Sequence, residues 1–387
     1  MNKLLNKLIT ILIIIICILT SYLGLTKKEL KIKDNKDNNV QIEEQINKKE
    51  LFEDYYDKAE KILNNMTLEE KVSQMFIVAY RTSNDRLYKN VGGYIFYTHN
   101  VAYYPKETII DRINSIQERT KIKHAIVIDE EGGTVSRIGK NMYLMDEPYK
   151  SPRDLYNRGG LDLILNTEVE KDTLLKELGF NLNLAPVADM SNEKNSFIYH
   201  RSIGLDKTKT SNYIKEVTKK AKELKFSTCL KHFPGLGENK DDSHYESVID
   251  KRSLDYLKEN DFLPFKAGID AGTPFIMVSH NILESVDSKY PTSLSKKVIN
   301  ILTEDLNYSG LIITDDIAMD SLYSFNKKNE ASILAVNAGN TMIMTSSYEK
   351  HYNQVLNAVK NKKITEEQIN SSVKKILAWK LAYNIIS

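Results

Sequence analysis

A chain of 387 residues with 41% hydrophobic and 27% charged residues has the composition of a globular protein able to bury a sizeable core. Its formal net charge of +2, with no basic stripe interleaved with aromatics, argues against a nucleic-acid partner. Two cysteines, Cys17 in an apolar leader and Cys229 in a strand-like run, exclude a disulfide framework and carry no metal or redox motif.

Lys3 and Lys7 precede an apolar run from Leu8 to Leu25, which reads as an export signal. The run is also long enough to be a marginal membrane span. Residues 1–25 are therefore read as a signal peptide or an uncleaved membrane anchor, and either reading puts the body of the protein outside the cytoplasm. Residues 26–50 are rich in Lys, Asp, Asn, Glu and Gln and read as a solvated linker.

From residue 51 to residue 387 one unit recurs: a short apolar strand, a turn-rich segment and a helix-period segment. Thr67-Leu-Glu-Glu70 is a capping box that opens a helix leading into a strand at 75–79. A second strand is predicted at 93–97, followed by a helix over 106–120 with Ile109, Ile113 and Ile116 aligned. The third strand, 125–128, ends in Asp129. A helix over 161–178, stopped by Gly179, leads to a fourth strand over 182–187, which ends near Asp189. The fifth strand, 227–230, puts Lys231 and His232 at its C-terminal end, and Pro234, Gly235 and Gly237 then shape a loop. Strands at 275–278, 311–313 and 341–344 follow, the first ending in Ser279-His280 and the second in Thr314-Asp315-Asp316. A capping box at Thr365-x-x-Gln368 opens the last helix.

Eight strands alternating with helices fit an α/β fold of the (β/α)8 TIM-barrel type better than a doubly wound sheet, and no glycine-rich phosphate loop follows the first strand. In such a barrel the active site lies at the C-terminal ends of the strands, where this chain carries Asp129, Asp189, Lys231, His232, His280, Asp315 and Asp316. That clustering points to an enzyme.

Asp315 and Asp316 follow near-pure aliphatics, so one carboxylate should face the barrel mouth while the other, for which Asp316 is the candidate, caps the segment 317–319. Asp242 and His244 have the spacing of a carboxylate that orients an imidazole base. The same pair could brace a loop, or bind a metal with His280. Lys231 and His232, and Asp129 with Arg137, suit a ligand rich in hydroxyl or carbonyl oxygens. The 22 tyrosines are read as packing and surface residues without a catalytic role.

Together these segments resemble glycoside hydrolase family 3, in its single-domain β-N-acetylglucosaminidase branch. The resemblance rests on Lys231-His-Phe-Pro-Gly-Leu-Gly237 with Asp242-Ser-His244, on Asp129-x-Glu131-Gly132-Gly133 with Arg137, on Leu184-Ala-Pro-Val-Ala-Asp189, on Arg201-Ser202-x-Gly204, and on Thr314-Asp315 with Met319. It covers roughly residues 55–385. It implies a retaining exo-β-N-acetylglucosaminidase that removes terminal GlcNAc from peptidoglycan fragments or other glycans, with Asp315 as nucleophile and His244, oriented by Asp242, as general acid/base. It further implies that Asp129, Arg137, Arg201, Lys231 and His232 bind the sugar. No cofactor and no metal are expected, the partner is a carbohydrate with terminal β-GlcNAc, and a monomer is expected. Leu236, Thr134 and Thr341 depart from residues frequent in the family, which bears on leaving-group contacts rather than on the reaction. The competing readings are a metal-dependent hydrolase on the same barrel, a phosphorolytic N-acetylglucosaminidase, and a catalytically silent protein that binds cell-wall saccharides.

Overall fold

The structure is a computed structural model that describes residues 49–81, 88–240, 248–328 and 330–387. The leader, nearly all of the polar linker, and the Asp242/His244 pair lie outside the described residues. Among the described residues no helix is long and apolar enough to cross a membrane.

The barrel strands are β1 (Phe76–Ala79), β2 (Gly93–Phe96), β3 (Ala125–Ile128), β4 (Leu182–Asn183), β5 (Ser227–Phe233), β6 (Phe275–Val278), β7 (Leu311–Thr314) and β8 (Ile343–Thr345). All pair in parallel, in the order β8-β1-β2-β3-β4-β5-β6-β7. The bridge between Ile313 and Met342, with Met342 N donating to Ile312 O at 3.0 Å, joins β7 to β8 and completes the ring. Each of β2, β3, β6 and β7 is buried along its whole length. Strands covered on both faces need continuous apolar runs rather than alternation, and these segments supply them.

The N-terminal end of the barrel is closed by the helix Glu366–Ala382. Its Trp379 is fully buried, donates to Ser227 Oγ at the start of β5 (2.8 Å), and lies edge-on to Phe275 at the start of β6, ring centres 4.7 Å apart. Among the described residues, the opposite end of the barrel carries the cavity that a ligand can enter. Both expected capping boxes form, at Thr67/Glu70 and at Thr365/Gln368.

Several bounds shift by one to three residues, and three elements differ in ways that bear on the site or the helix course. The helix expected from Leu161 begins at Pro152, capped by Ser151, and is interrupted at Gly159 and Gly160, where Gly160 adopts φ +65°. Glycine adopts a positive φ at little cost, which allows the helix to break there. β4 is regular only at Leu182–Asn183 instead of running to 187; beyond it Ala185 O and Pro186 O still accept from Cys229 N and Lys231 N, and Val187 bridges to Lys231, while Pro186 has no N–H of its own to donate. β5 runs on to Phe233, so Lys231 and His232 lie inside the strand. Its register against β6 shifts between Leu230 and Phe233. A bulge breaks strict alternation, and two consecutive side chains can then reach the barrel mouth.

Candidate active site

The barrel mouth holds a cavity of about 590 Å³ walled by Asp129, Glu131, Lys231, Asp315 and Asp316 at the ends of β3, β5 and β7, by Arg137 and Arg201 from the loops after β3 and β4, and by Tyr97, Phe197, Met319 and other side chains. Asp129, Arg137, Arg201, Lys231, His232 and Asp315 all line it, so the structure brings together every expected sugar-binding residue and the expected nucleophile.

From the bulged end of β5, Lys231 reaches past β4 to the carboxylates that follow β3. Lys231 Nζ donates to Asp129 Oδ1 at 2.8 Å and lies 2.6 Å from Glu131 Oε1. Asp129 and Glu131 are two apart and so share a face at the end of β3. Arg201 grips Glu131 with two parallel bonds, Nε to Oε2 at 2.9 Å and Nη2 to Oε1 at 2.7 Å. Burial alone would push Glu131 up, but Arg201 and Lys231 overcome it and hold the carboxyl well below the usual carboxylate range. Burial likewise works against the charges of Lys231 and Arg201, and the facing carboxylates reverse that effect in both. All three groups therefore stay ionised at neutral pH.

His232 is held at both ring nitrogens. Asp189, fully buried, accepts from His232 Nδ1 at 2.7 Å, so Nδ1 carries the proton; Nε2 then accepts from Arg201 Nη2 at 3.1 Å. Asp189 also accepts the backbone N–H groups of His232 (2.9 Å) and Leu236 (2.7 Å), fastening the turn that follows β5. Leu236 packs with Val187 and Ile198 in a small apolar cluster beside this turn.

Across the cavity, Asp315 closes β7. Its N–H donates to Val278 O at 3.1 Å and its Oδ1 accepts from Asp316 N at 2.8 Å. Asp316 Oδ1 accepts from Ala318 N (2.9 Å) and Ser346 N (3.1 Å), and burial raises its carboxyl above the usual range. The bracing role expected of Asp316 is thus seen, although it closes a turn rather than a helix: the next helical residues are Asp320–Leu322. His280 does not line the cavity; its ring bonds Ser293 Oγ at 2.7 Å and the carbonyl of Asp316 at 3.2 Å. Asp242 and His244, the expected acid/base pair, lie outside the described residues.

Among the cavity side chains given no role by the sequence reading are Glu131, Tyr97, Phe197 and His200. Glu131 was legible from its spacing to Asp129. Tyr97 lies one residue beyond β2; burial and then the nearby Asp316, Asp129 and Asp315 carboxylates hold its hydroxyl proton more tightly than usual, which leaves it a hydroxyl donor in the cavity. Phe197, with the Arg201 guanidinium 5.5 Å from its ring centre, and His200 come from the long segment after β4, whose course no periodicity announces.

Comparison with known proteins agrees with this geometry. Residues 67–379 match the profile described as the glycosyl hydrolase family 3 N terminal domain. An uncharacterized secreted glycosyl hydrolase of Arthroderma benhamiae is 30% identical over 319 residues, covering 77% of this chain and 88% of its own length. A β-hexosaminidase of Stenotrophomonas maltophilia is 28% identical over 238 residues, 60% of this chain and 70% of that protein. Among solved structures, a family 3 β-N-acetylglucosaminidase of a Paenibacillus species superposes with a TM-score of 0.77 at 27% identity, over 83% of this chain and 63% of that one. This chain thus matches less than two thirds of that solved chain.

Proposed function

The chain belongs to glycosyl hydrolase family 3, and from that premise we propose that it is a retaining exo-β-N-acetylglucosaminidase acting on glycans with a terminal β-GlcNAc. The observation that carries this reading is Asp315, set on one wall of a sugar-sized cavity whose other wall presents Lys231, Arg137 and Arg201.

In this reading the Asp315 carboxylate attacks the anomeric carbon as the glycosidic oxygen takes a proton from His244, whose imidazolium Asp242 stabilises. The leaving sugar departs as an alcohol, and a glycosyl ester to Asp315 is left. Water then gives its proton back to His244 and displaces Asp315, so the product keeps the β configuration. Lys231 and Arg201, already fixed by Glu131 and Asp129, need no rearrangement to donate to hydroxyl and carbonyl oxygens, and such preorganised donors are the usual source of transition-state stabilisation. The apolar leader, together with the secreted Arthroderma relative, supports export of the enzyme to the cell surface or beyond.

The test is hydrolysis of an aryl β-N-acetylglucosaminide by a truncated chain beginning at Glu50, beside its Asp315→Asn variant, with and without chelator. Turnover that survives the chelator, disappears in the variant and releases β-GlcNAc first, as followed by proton NMR, is expected. An α first product, or a variant as active as its parent, rules the assignment out.

A further inference from the structure

The cavity loop after β3 is held from behind by a residue that never touches the cavity. Asp129 and Glu131 face the barrel mouth, so Glu130 between them must point the other way, and it is fully buried. Its backbone is locked by Asn183 of β4: Glu130 N donates to Asn183 Oδ1 at 2.9 Å, and Asn183 Nδ2 donates back to Glu130 O at 3.1 Å. Its carboxyl then accepts three donors from the returning limb of the loop. Ser136 Oγ donates to Oε1, and the backbone N–H groups of Arg137 and Ile138 both donate to Oε2 at 2.6 Å.

These bonds close the segment 131–137 into a fixed hook. Within it Glu131 N and Gly132 N both donate to Val135 O, at 2.9 and 3.1 Å. Gly133 N donates to Tyr149 O at 2.8 Å. Gly132 sits at φ +91°, where an added Cβ would meet Lys150 O at 2.4 Å. The hook presents Glu131, Thr134, Val135 and Arg137 to the cavity, and of these Arg137 is carried on the limb that Glu130 holds. Its guanidinium lies only loosely against Asp129, 3.7 Å away, and its Nε is a buried donor with no hydrogen-bond partner. A buried unpaired donor is costly, and one facing a cavity is kept for a ligand.

We propose that Glu130 is a positioning residue for sugar binding: by fixing the backbone of Arg137 and Ile138 it sets where the Arg137 guanidinium meets the bound sugar. This rests on the glycosidase reading of the cavity. Protonated on Oε1, or replaced by glutamine, the side chain still offers Oε2-type acceptance to both N–H groups and can donate to Ser136 Oγ. Burial pushes the Glu130 carboxyl up, in keeping with such a neutral arrangement.

The experiment is a double-mutant cycle in steady-state kinetics on an aryl β-N-acetylglucosaminide, using Glu130→Ala, Arg137→Ala and the pair. Glu130→Ala should raise KM roughly tenfold, the scale of one lost hydrogen bond to a charged group, with kcat changed much less. Added to Arg137→Ala it should cost nothing further, because both variants remove the same contact. Glu130→Gln should restore KM to near the parent value. Should Glu130→Ala fail to fold, Ser136→Ala, which withdraws one of the three donors, replaces it in the same cycle with a smaller KM effect. Losses that multiply in the pair, or a fall in Tm with unchanged KM, overturn the proposal. Lack of turnover by the parent counts instead against the glycosidase reading, and the cycle is then read in the Kd for N-acetylglucosamine.

Discussion

Lys231 Nζ lies 2.6 Å from Glu131 Oε1, and both side chains are buried, so this pair is the electrostatic centre of the barrel mouth. Two cations, Lys231 and Arg201, share the one Glu131 carboxylate, and Asp129 balances the second positive charge. Removing one member leaves buried charge without a counterion, which costs more than the pair itself is worth.

Glu131→Gln should therefore destabilise the fold by about 3 kcal/mol or more in denaturant unfolding, in the range for breaking a buried ion pair. The folded Glu131 carboxyl lies below its ordinary range, so its contribution is fully present above that range and is lost as pH falls toward the folded value. The parent should accordingly lose more stability than the variant on acidification, and equal losses would count against the ion-pair account.

Asp189→Asn should act through tautomer choice. Without the carboxylate, Nδ1 of His232 has no reason to keep the proton, and an Nε2–H tautomer would oppose the Arg201 N–H now donated to it. Arg201 is then displaced from the cavity wall, and KM for an aryl β-N-acetylglucosaminide is expected to rise roughly tenfold, equivalent to about 1.4 kcal/mol. An unchanged KM would show that Arg201 is held by Glu131 alone.

His244→Ala should spare good leaving groups. On an aryl substrate whose phenolate leaves without protonation, glycosylation should fall little, whereas a disaccharide should lose roughly 10²–10⁴-fold in kcat/KM. Equal losses on the two substrates would remove His244 as the acid.

Lys380 offers a pH test remote from the active site. It is fully buried at the closed end of the barrel, where its Nζ donates to Gln74 Oε1 at 2.9 Å, and burial lowers its pKa to about 7. The nearby His124 is itself lowered to about 4, by burial and then by Lys380, so it is neutral there. Between about pH 7 and the ordinary lysine range the unfolded chain binds the proton that the folded chain has released, so stability should rise with pH across that window. From pH 7 to pH 9 the gain is about 2 kcal/mol. Lys380→Met should flatten this part of the curve, and denaturant midpoints of the parent and variant at the two pH values measure it.

The barrel was legible because most strands are short, mainly apolar runs, and β3, β6 and β7 each give way to polar residues, at Asp129, Ser279-His280 and Asp315-Asp316. Asp129 and Asp315 could be named on that ground alone. The interior of β5 was read differently. Strand periodicity would send Lys231 and His232 to opposite faces, yet both line the cavity where the register against β6 shifts. Glu130 and Glu131 show the same boundary. Alternation predicts that they part company, but it cannot say that one meets Lys231 and Arg201 while the other fastens the hook carrying Arg137.

The sequence by itself determined the order of strands and helices, the end of the barrel where chemistry gathers, and the family, since these depend on local runs and on motifs read within a few residues. Only the tertiary structure decided which charges share a counterion, which histidine nitrogen carries the proton, and which buried side chain supports the sugar-facing loop. Those depend on contacts between residues as far apart in sequence as Glu131 and Arg201, and in a buried site a distance of a few ångströms sets both the sign of a pKa shift and the direction of a hydrogen bond.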